Sequence, residues 1–469
     1  MRFALSTGLV LLVAFVGCEG GDTSEPGGGG SGAGGPGSGA NGGGPSGDVT
    51  FHEDVEPILQ ASCLTCHLQG RIGGFSLLTY EDAAPLAGLI AQKTAAGEMP
   101  PWHAKTTEDC APTHAYREDP TLSDETKKVL QDWADAGAPR GNPENAPPPF
   151  QEPPIGLANP DVEIVAPIAT VVEGDSDTFV CVIHDPGLTE KRYLDGISII
   201  PSNDKVAHHA LLFRLSRADA LELSGGGDTF PCFGAPPGDL VNAWAPGAQP
   251  LQLPEDVGLA MEADDVIVVQ MHYHPTSMGP EEDASTIQMR FLDGEPTWTF
   301  EMALVGNANS APQLLAGPND GGSPEFRVPP GATDHTEAME FDVPEIPVRI
   351  PILVVGTHMH YVGVDARFSI QRSVGVSEPA DECFVHTPEW DFNWQRGYMY
   401  DAPISELPTL GSGDVLRMDC KYNNSMENPL LAAALASEGM SAPTEVRLGE
   451  ETLDEMCLGV LGILVPNVE

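Results

Sequence analysis

The residues of this chain best suited to chemistry are histidines set in short apolar runs. His358 and His360 stand two apart in VVGTHMHYVG, residues 354–363, a stretch rich in Val. A strand sends alternate side chains to one face, so both imidazoles are expected to project the same way. Two imidazoles held like that make half of a metal site, and imidazole suits copper, zinc or iron. Upstream lie His208-His209 in VAHHALLF and His272 in VVQMHYHP, and later Met456 stands in DEMCLGVLGILV. Three imidazoles support both oxidation states of copper, whereas a soft thioether favours Cu(I), the form that reacts with oxygen. His274 shares a strand face with His272 but precedes Pro275, which leaves it supporting the site or at the surface.

A second constellation is CLTCH, with Cys63, Cys66 and His67. The C-x-x-C-H spacing lets two thiols form thioethers with haem vinyl groups while the adjacent His ligates iron. A thioredoxin-like CxxC would need a βαβ context, and zinc would need a second ligand pair nearby; neither is visible. Met99 in GEMPPW, held by Pro100 and Pro101, is the expected sixth iron ligand, with His103 and His114 as alternatives.

The elements that must carry these residues divide the chain. Residues 1–18 combine Arg2, an apolar core and Gly17-Cys18, which reads as an export signal with Cys18 as a lipidated N-terminus. Residues 19–48 are nearly all Gly, Ser, Pro and Ala, a flexible tether. Residues 49–141 read as a small helical haem domain. It has a helix in HEDVEPILQAS, another from a Thr79 cap to about Gly97, and a third from a Ser123 cap to about Ala136. Residues 142–154 form a Pro-rich linker. Beyond it short strands alternate with turn residues at sandwich-like spacing, with a boundary near residue 297. That gives two β domains, 155–297 and 298–469, and a mainly β fold class.

Of nine cysteines, removing Cys18, Cys63 and Cys66 leaves six, an even number for an oxidising compartment. Cys181 with Cys232 and Cys420 with Cys457 are the natural pairs within domains. Cys110 and Cys383 either pair across domains or stay as thiols. The balance of 22 Lys+Arg against 69 Asp+Glu repels phosphate backbones, so nucleic acid is not an expected partner.

Taken together, residues 155–469 resemble the copper type II monooxygenases, the family of peptidylglycine α-hydroxylating monooxygenase and dopamine β-monooxygenase. The likeness rests on AHHALLF, on WAPGAQPLQLPEDVG followed by QMHYH, on THMHYVG, on CKYNN and on DEMC. It implies two jelly-roll-type β-sandwiches, each binding one copper. His208, His209 and His272 would hold the electron-transfer copper. His358, His360 and Met456 would hold the copper where O2 and a small organic substrate meet. The stretch from CLTCH through MPPW to the WADAGAP helix resembles a small bacterial cytochrome c domain, which the animal enzymes lack. The expected activity is hydroxylation of a C–H bond, with electrons from an external donor such as an ascorbate-like reductant or a redox protein. The tethered haem c is expected to relay those electrons; the alternative is an independent haem module. A different reading of the whole is a non-catalytic copper-binding, electron-transfer lipoprotein. Either form is exported and held at a membrane of the cell envelope by a lipid anchor. Two departures concern substrate. Gly356 replaces an Arg that holds a peptide carboxylate in the amidating enzyme, and Leu458 to Val460 lack the polar substrate groups found after its Met. A less polar substrate follows.

Overall fold

The computed structural model describes residues 49–467, apart from residues 72, 153–154, 175–176, 233–235, 277–278, 309–310 and 450–452. The export signal, Cys18 and the Gly-rich tether lie outside the described residues. Two compact units form. One is built from residues 49–102 and 120–152, the other from 103–119 and 155–467.

The first unit is helical. A π turn at Phe51–Val55 runs into α1 (Glu56–Ser62). Thr79 caps α2 (Tyr80–Ala83) through a reciprocal capping box with Asp82. The single helix expected from Thr79 to about Gly97 is interrupted by a 3-10 turn at Ala84–Leu86, where Pro85 contributes no N–H, and resumes as α3 (Ala87–Ala95). Ser123 caps α4 (Asp124–Asp135), as its position before an amphipathic run suggests. Leu130 and Trp133 of α4 are wholly buried against Phe51, Val55 and Leu59. Each such side chain contributes about 1.5–3 kcal/mol on leaving water. The expected linker does not hang free. Phe150 packs on this core, Asn145 donates to Glu53 at 3.0 Å, and Arg71 pairs with Glu152.

The second unit is mainly β. Its first half comprises β1 (Val162–Val165), β2 (Thr170–Val172), β3 (Thr178–His184), β4 (Arg192–Ile200), β5 (Ala207–Ser216) and β6 (Thr229–Pro231). It continues with β7 (Asp239–Trp244), β8 (Leu251–Gln252), β9 (Val257–Met261), β10 (Asp265–Tyr273), β11 (Glu281–Asp283) and β12 (Thr286–Phe291). The second half comprises β13 (Trp298–Asn307), β14 (His335–Asp342), β15 (Ile350–His358), β16 (Gly363–Gln371) and β17 (Asp381–Thr387). It ends with β18 (Tyr398–Met399), β19 (Thr409–Leu410), β20 (Val415–Tyr422) and β21 (Cys457–Pro466).

A five-stranded sheet has the order β6-β3-β10-β5-β7, and a four-stranded one β14-β20-β16-β17. A ten-stranded sheet runs β1-β12-β4-β9-β13-β21-β15-β18, with β8 and β19 at its sides. β13 begins where a boundary near residue 297 was expected. It pairs with β9 on one side and with β21 on the other, so one sheet passes through both halves. Val266 to Val269 of β10 are fully buried on both faces, which explains a continuous apolar run instead of an alternating one. Where β21 crosses the four-stranded sheet, Gly459 lies against the Phe368 ring, and a Cβ there would stand 2.8 Å from ring atoms. Only glycine lets the layers approach so closely.

Residues 103–119, expected within the 49–141 domain, lie in the β unit. They belong to the β unit because they are bonded into it. Lys105 N–H donates to His386 O at 2.9 Å, Arg117 N–H to Met399 O at 2.8 Å, and Asp401 N–H to Ala115 O at 2.8 Å. The Cys110–Cys383 disulfide fastens this strap to β17 across a sequence separation of 273 and settles how the two remaining cysteines are used. Cys181–Cys232 and Cys420–Cys457 form as expected. Among the described residues no helix is long and apolar enough to cross a membrane.

Candidate metal centre

His209 on β5 stands directly across from His272 on β10. Neighbouring residues on a strand ordinarily point to opposite faces, so His208 should face away. It does not, because the pairing shifts here: Tyr273 pairs with Ala207, leaving His208 as the extra residue of a bulge. A bulge re-aims a side chain, and this one turns His208 toward the same point as His209. Nδ1 of His208 lies 3.0 Å from Nδ1 of His209, and Nε2 of His209 lies 3.1 Å from Nδ1 of His272. Among the described residues, this is the group whose three donor atoms gather within 4.8 Å.

The two contacts use different nitrogens of His209, and one nitrogen from each ring lies within 4.8 Å of the other two, a gathering that one first-row metal ion would draw closer. Burial, with repulsion from His272, pushes the His208 pKa down to about 4, and burial holds His209 well below the ordinary range. Both rings are therefore neutral, the state a metal ligand requires. Copper, zinc and other imidazole-seeking ions all suit a three-nitrogen set.

Two residues that the sequence reading missed shape this cluster. Asp177 accepts from Nε2 of His272 at 2.6 Å and from Nδ1 of His274 at 2.6 Å. Burial alone would raise its pKa, but those two hydrogen bonds outweigh it and hold the carboxyl well below the usual range. Phe179, paired with His272 across β3 and β10, lies flat on that ring with centroids 4.3 Å apart. His274, just past the end of β10, has an exposed side chain and supports the cluster through Asp177.

His358 and His360 meet differently from the expectation. β15 ends at His358, so His360 lies in the turn beyond it instead of one pleat further along a strand. Their rings still face one another, with centroids 5.3 Å apart at 81°. Nδ1 of His358 contacts Gln395 Oε1 at 2.5 Å, and Nδ1 of His360 contacts the Asp454 carbonyl at 3.1 Å. Those contacts engage Nδ1 of each ring, so an ion would be taken by Nε2. Burial lowers the His358 pKa against the opposing effect of Gln395. Trp390 and Phe392 stand edge-on to His358 and His360 at 6.4 and 6.1 Å.

Met456, wholly buried, stands just before β21 beside Ala308 and Leu458. What joins it to the histidine pair is Glu455. Its carboxylate accepts N–H groups from Met456 at 2.9 Å, from Gly363 at 3.0 Å, and from His360. Burial pushes the Glu455 pKa up to about 8 against those amides.

In the helical unit, α1 ends at Ser62 and the chain turns tightly, with N–H groups of Cys66 and His67 both donating to Cys63 O. Cys63 and Cys66 lie outside the three disulfides, and burial, reinforced by Cys66, pushes the Cys63 thiol up to about 12. His67 sits against Phe75 at 4.6 Å, and a Cβ on Gly73 would stand 2.5 Å from its Nδ1. Phe75, Leu78, Leu89 and Met99 are large apolar side chains left exposed in this small unit. Unoxidised thiols, an adjacent imidazole and an uncovered apolar surface fit a thioether-linked porphyrin. Of the alternatives to Met99, His103 contacts Glu389 O at 2.5 Å and His114 packs near Tyr400. Both lie in the β unit, whereas Met99 shares a unit with His67.

No family model matches the chain, and no curated protein matches it. Among solved structures it is similar to the crystal structure of infectious bursal disease virus VP2 subviral particle, at 9% identity over 66% of this chain and 75% of that chain, with a TM-score of 0.18. That likeness carries no weight for fold or function.

Proposed function

We propose that this chain is a copper-dependent monooxygenase carrying two copper centres and one c-type haem. In this reading it is exported, anchored through Cys18, and built on two jelly-roll-type sandwiches with a cytochrome c-like module. The observation that carries the proposal is the bulged approach of His208 and His209 to His272, which gathers one nitrogen of each ring within 4.8 Å of the others. The reaction balances as R–H plus O2, two electrons and two protons giving R–OH and water, with the electrons drawn from an external reductant. Copper would supply storage of one electron at His208, His209 and His272, and oxygen activation at His358, His360 and Met456. Cys63, Cys66, His67 and Met99 would hold a haem, which would supply one-electron delivery.

The remaining groups bind and orient. Gln395 and the Asp454 carbonyl fix the two rings of the His358–His360 pair, and Trp390 and Phe392 keep water from its flank. Position 356 has no room for a long side chain, since even a Cβ there would stand 3.2 Å from the Arg396 carbonyl and 3.3 Å from Val460. A guanidinium clamp for a carboxylate is therefore absent at that position, and the aromatic flank favours a small, weakly polar substrate.

The test is metal and haem analysis of the purified full chain, followed by oxygen consumption with small hydrophobic and phenethyl compounds. Two coppers, one haem and one hydroxylated product per O2 are expected. His358→Ala should lose one copper and leave the other in place. Copper content unchanged in His358→Ala would overturn the second centre. Full metal content without oxygen consumption would favour a carrier of electrons over an enzyme.

A further inference from the structure

Residues 454–456 hold both the turn after β15 and the end of β20. The Asp454 carbonyl takes Nδ1 of His360 at 3.1 Å, and the Met456 carbonyl accepts from the Tyr422 hydroxyl at 3.0 Å. Between them Glu455, fully buried, gathers the N–H groups of His360 and Gly363, residues 95 and 92 positions away, together with that of Met456. Among the described residues no Lys, Arg or His side chain is paired with it; only burial and backbone N–H groups act on its carboxyl. A carboxyl group placed there without a cation costs several kcal/mol in desolvation, which mere space-filling would not justify. What it gains is a planar acceptor that ties the start of one strand to the turn ending another. The peptide groups it joins are those of His360 and Met456.

We infer that Glu455 is a positioning residue, which sets the Met456 thioether against the His358–His360 pair without itself touching the metal. This rests on the reading that those three side chains share one copper. A glutamine has the same shape but only one carbonyl oxygen, and its amide group would meet N–H donors. Oε1 accepts from both His360 and Met456 and Oε2 from Gly363, so in either orientation the NH2 group of Glu455→Gln meets an N–H donor and the join between the turn and Met456 loosens, while the imidazoles stay on their own supports at Gln395 and Asp454. The softer, thioether-dependent half of the site fails first.

The experiment uses the full, copper-loaded chain. X-ray absorption at the copper edge of the reduced wild type should show a sulfur neighbour. Glu455→Gln should keep both coppers and lose that sulfur, with Cu(I) affinity at this centre down about 10- to 100-fold and Cu(II) affinity little changed. A variant retaining the sulfur neighbour overturns the inference. A wild type that lacks it removes the Met456 ligand reading itself, a distinguishable failure. If Glu455→Gln does not fold, hydrogen exchange on the wild type decides. Peptides covering 358–363 and 454–457 should gain protection together on Cu(I) loading, and independent exchange of the two would refute the coupling.

Discussion

Asp177 and His272 share a 2.6 Å contact on the face of the five-stranded sheet, between a carboxylate oxygen and Nε2. The hydrogen bond sets the imidazole tautomer, keeping the proton on Nε2 and leaving the Nδ1 lone pair toward His209. Removing the carboxylate frees the ring to turn and the proton to move. Asp177→Ala is expected to weaken copper at His208, His209 and His272 by about 10- to 100-fold, with the His358–His360 centre unaffected. Competition with a calibrated chelator measures this, and equal affinities in wild type and variant would contradict it.

The haem motif makes its own prediction. Protein matured in a host that attaches c-type haem should keep its colour through acid-acetone extraction, because thioether bonds survive it. Cys63→Ser should leave one bond and Cys63→Ser with Cys66→Ser none, so haem then passes into the solvent. Extractable haem in the wild type would end the proposal.

Acid stability should depend on His184. Its ring is buried on β3, Nδ1 has no hydrogen-bond partner among the described residues, and burial lowers its pKa to about 4 from 6.5. The unfolded chain takes up a proton near pH 6.5 while the folded chain refuses it until about pH 4, so stability falls as pH drops through that window. The full effect is on the order of 3 kcal/mol. In metal-free protein His208 acts in the same direction. Urea unfolding at several pH values between 7 and 4 should give a flatter profile for His184→Gln; an unchanged slope would assign the acid sensitivity elsewhere.

The strap offers a fourth test. Replacing Cys110 and Cys383 together by Ser should cost about 2–4 kcal/mol and open residues 103–119 to protease. Copper at His208, His209 and His272 should be retained, since β5 and β10 are held by their own pairing. Unchanged protease resistance would show that the hydrogen bonds to β17 and β18 suffice.

Ten strands could be placed from apolar runs and turn residues, among them β5, β10, β15 and β21, because those runs are long and well punctuated. Two disulfides followed from counting cysteines. What could not be read depended on register. Adjacent histidines on a strand diverge unless a bulge turns one, and nothing in VAHHALLF announces the bulge at His208. Asp177 reaches His272 and His274 only through the alignment of β3 with β10. Glu455 looked like one of many acids until the turn at His360 to Gly363 folded onto it. The strap was invisible for a simpler reason: its partners lie nearly three hundred residues downstream, beyond any local signal.

That strap also bears on how the protein can be taken apart. The helical unit is discontinuous, because its chain leaves after residue 102, is stitched into the β unit, and returns at residue 120. No single cut separates the two. A fragment beginning near residue 155 would lack the edge that residues 103–119 provide and carry a lone thiol at Cys383, inviting disulfide-linked dimers. A fragment ending near residue 141 would trail Tyr116 and Cys110 without the surfaces they cover. Studying either half alone calls for excising 103–119 from one and supplying it to the other, as a permuted or two-chain protein.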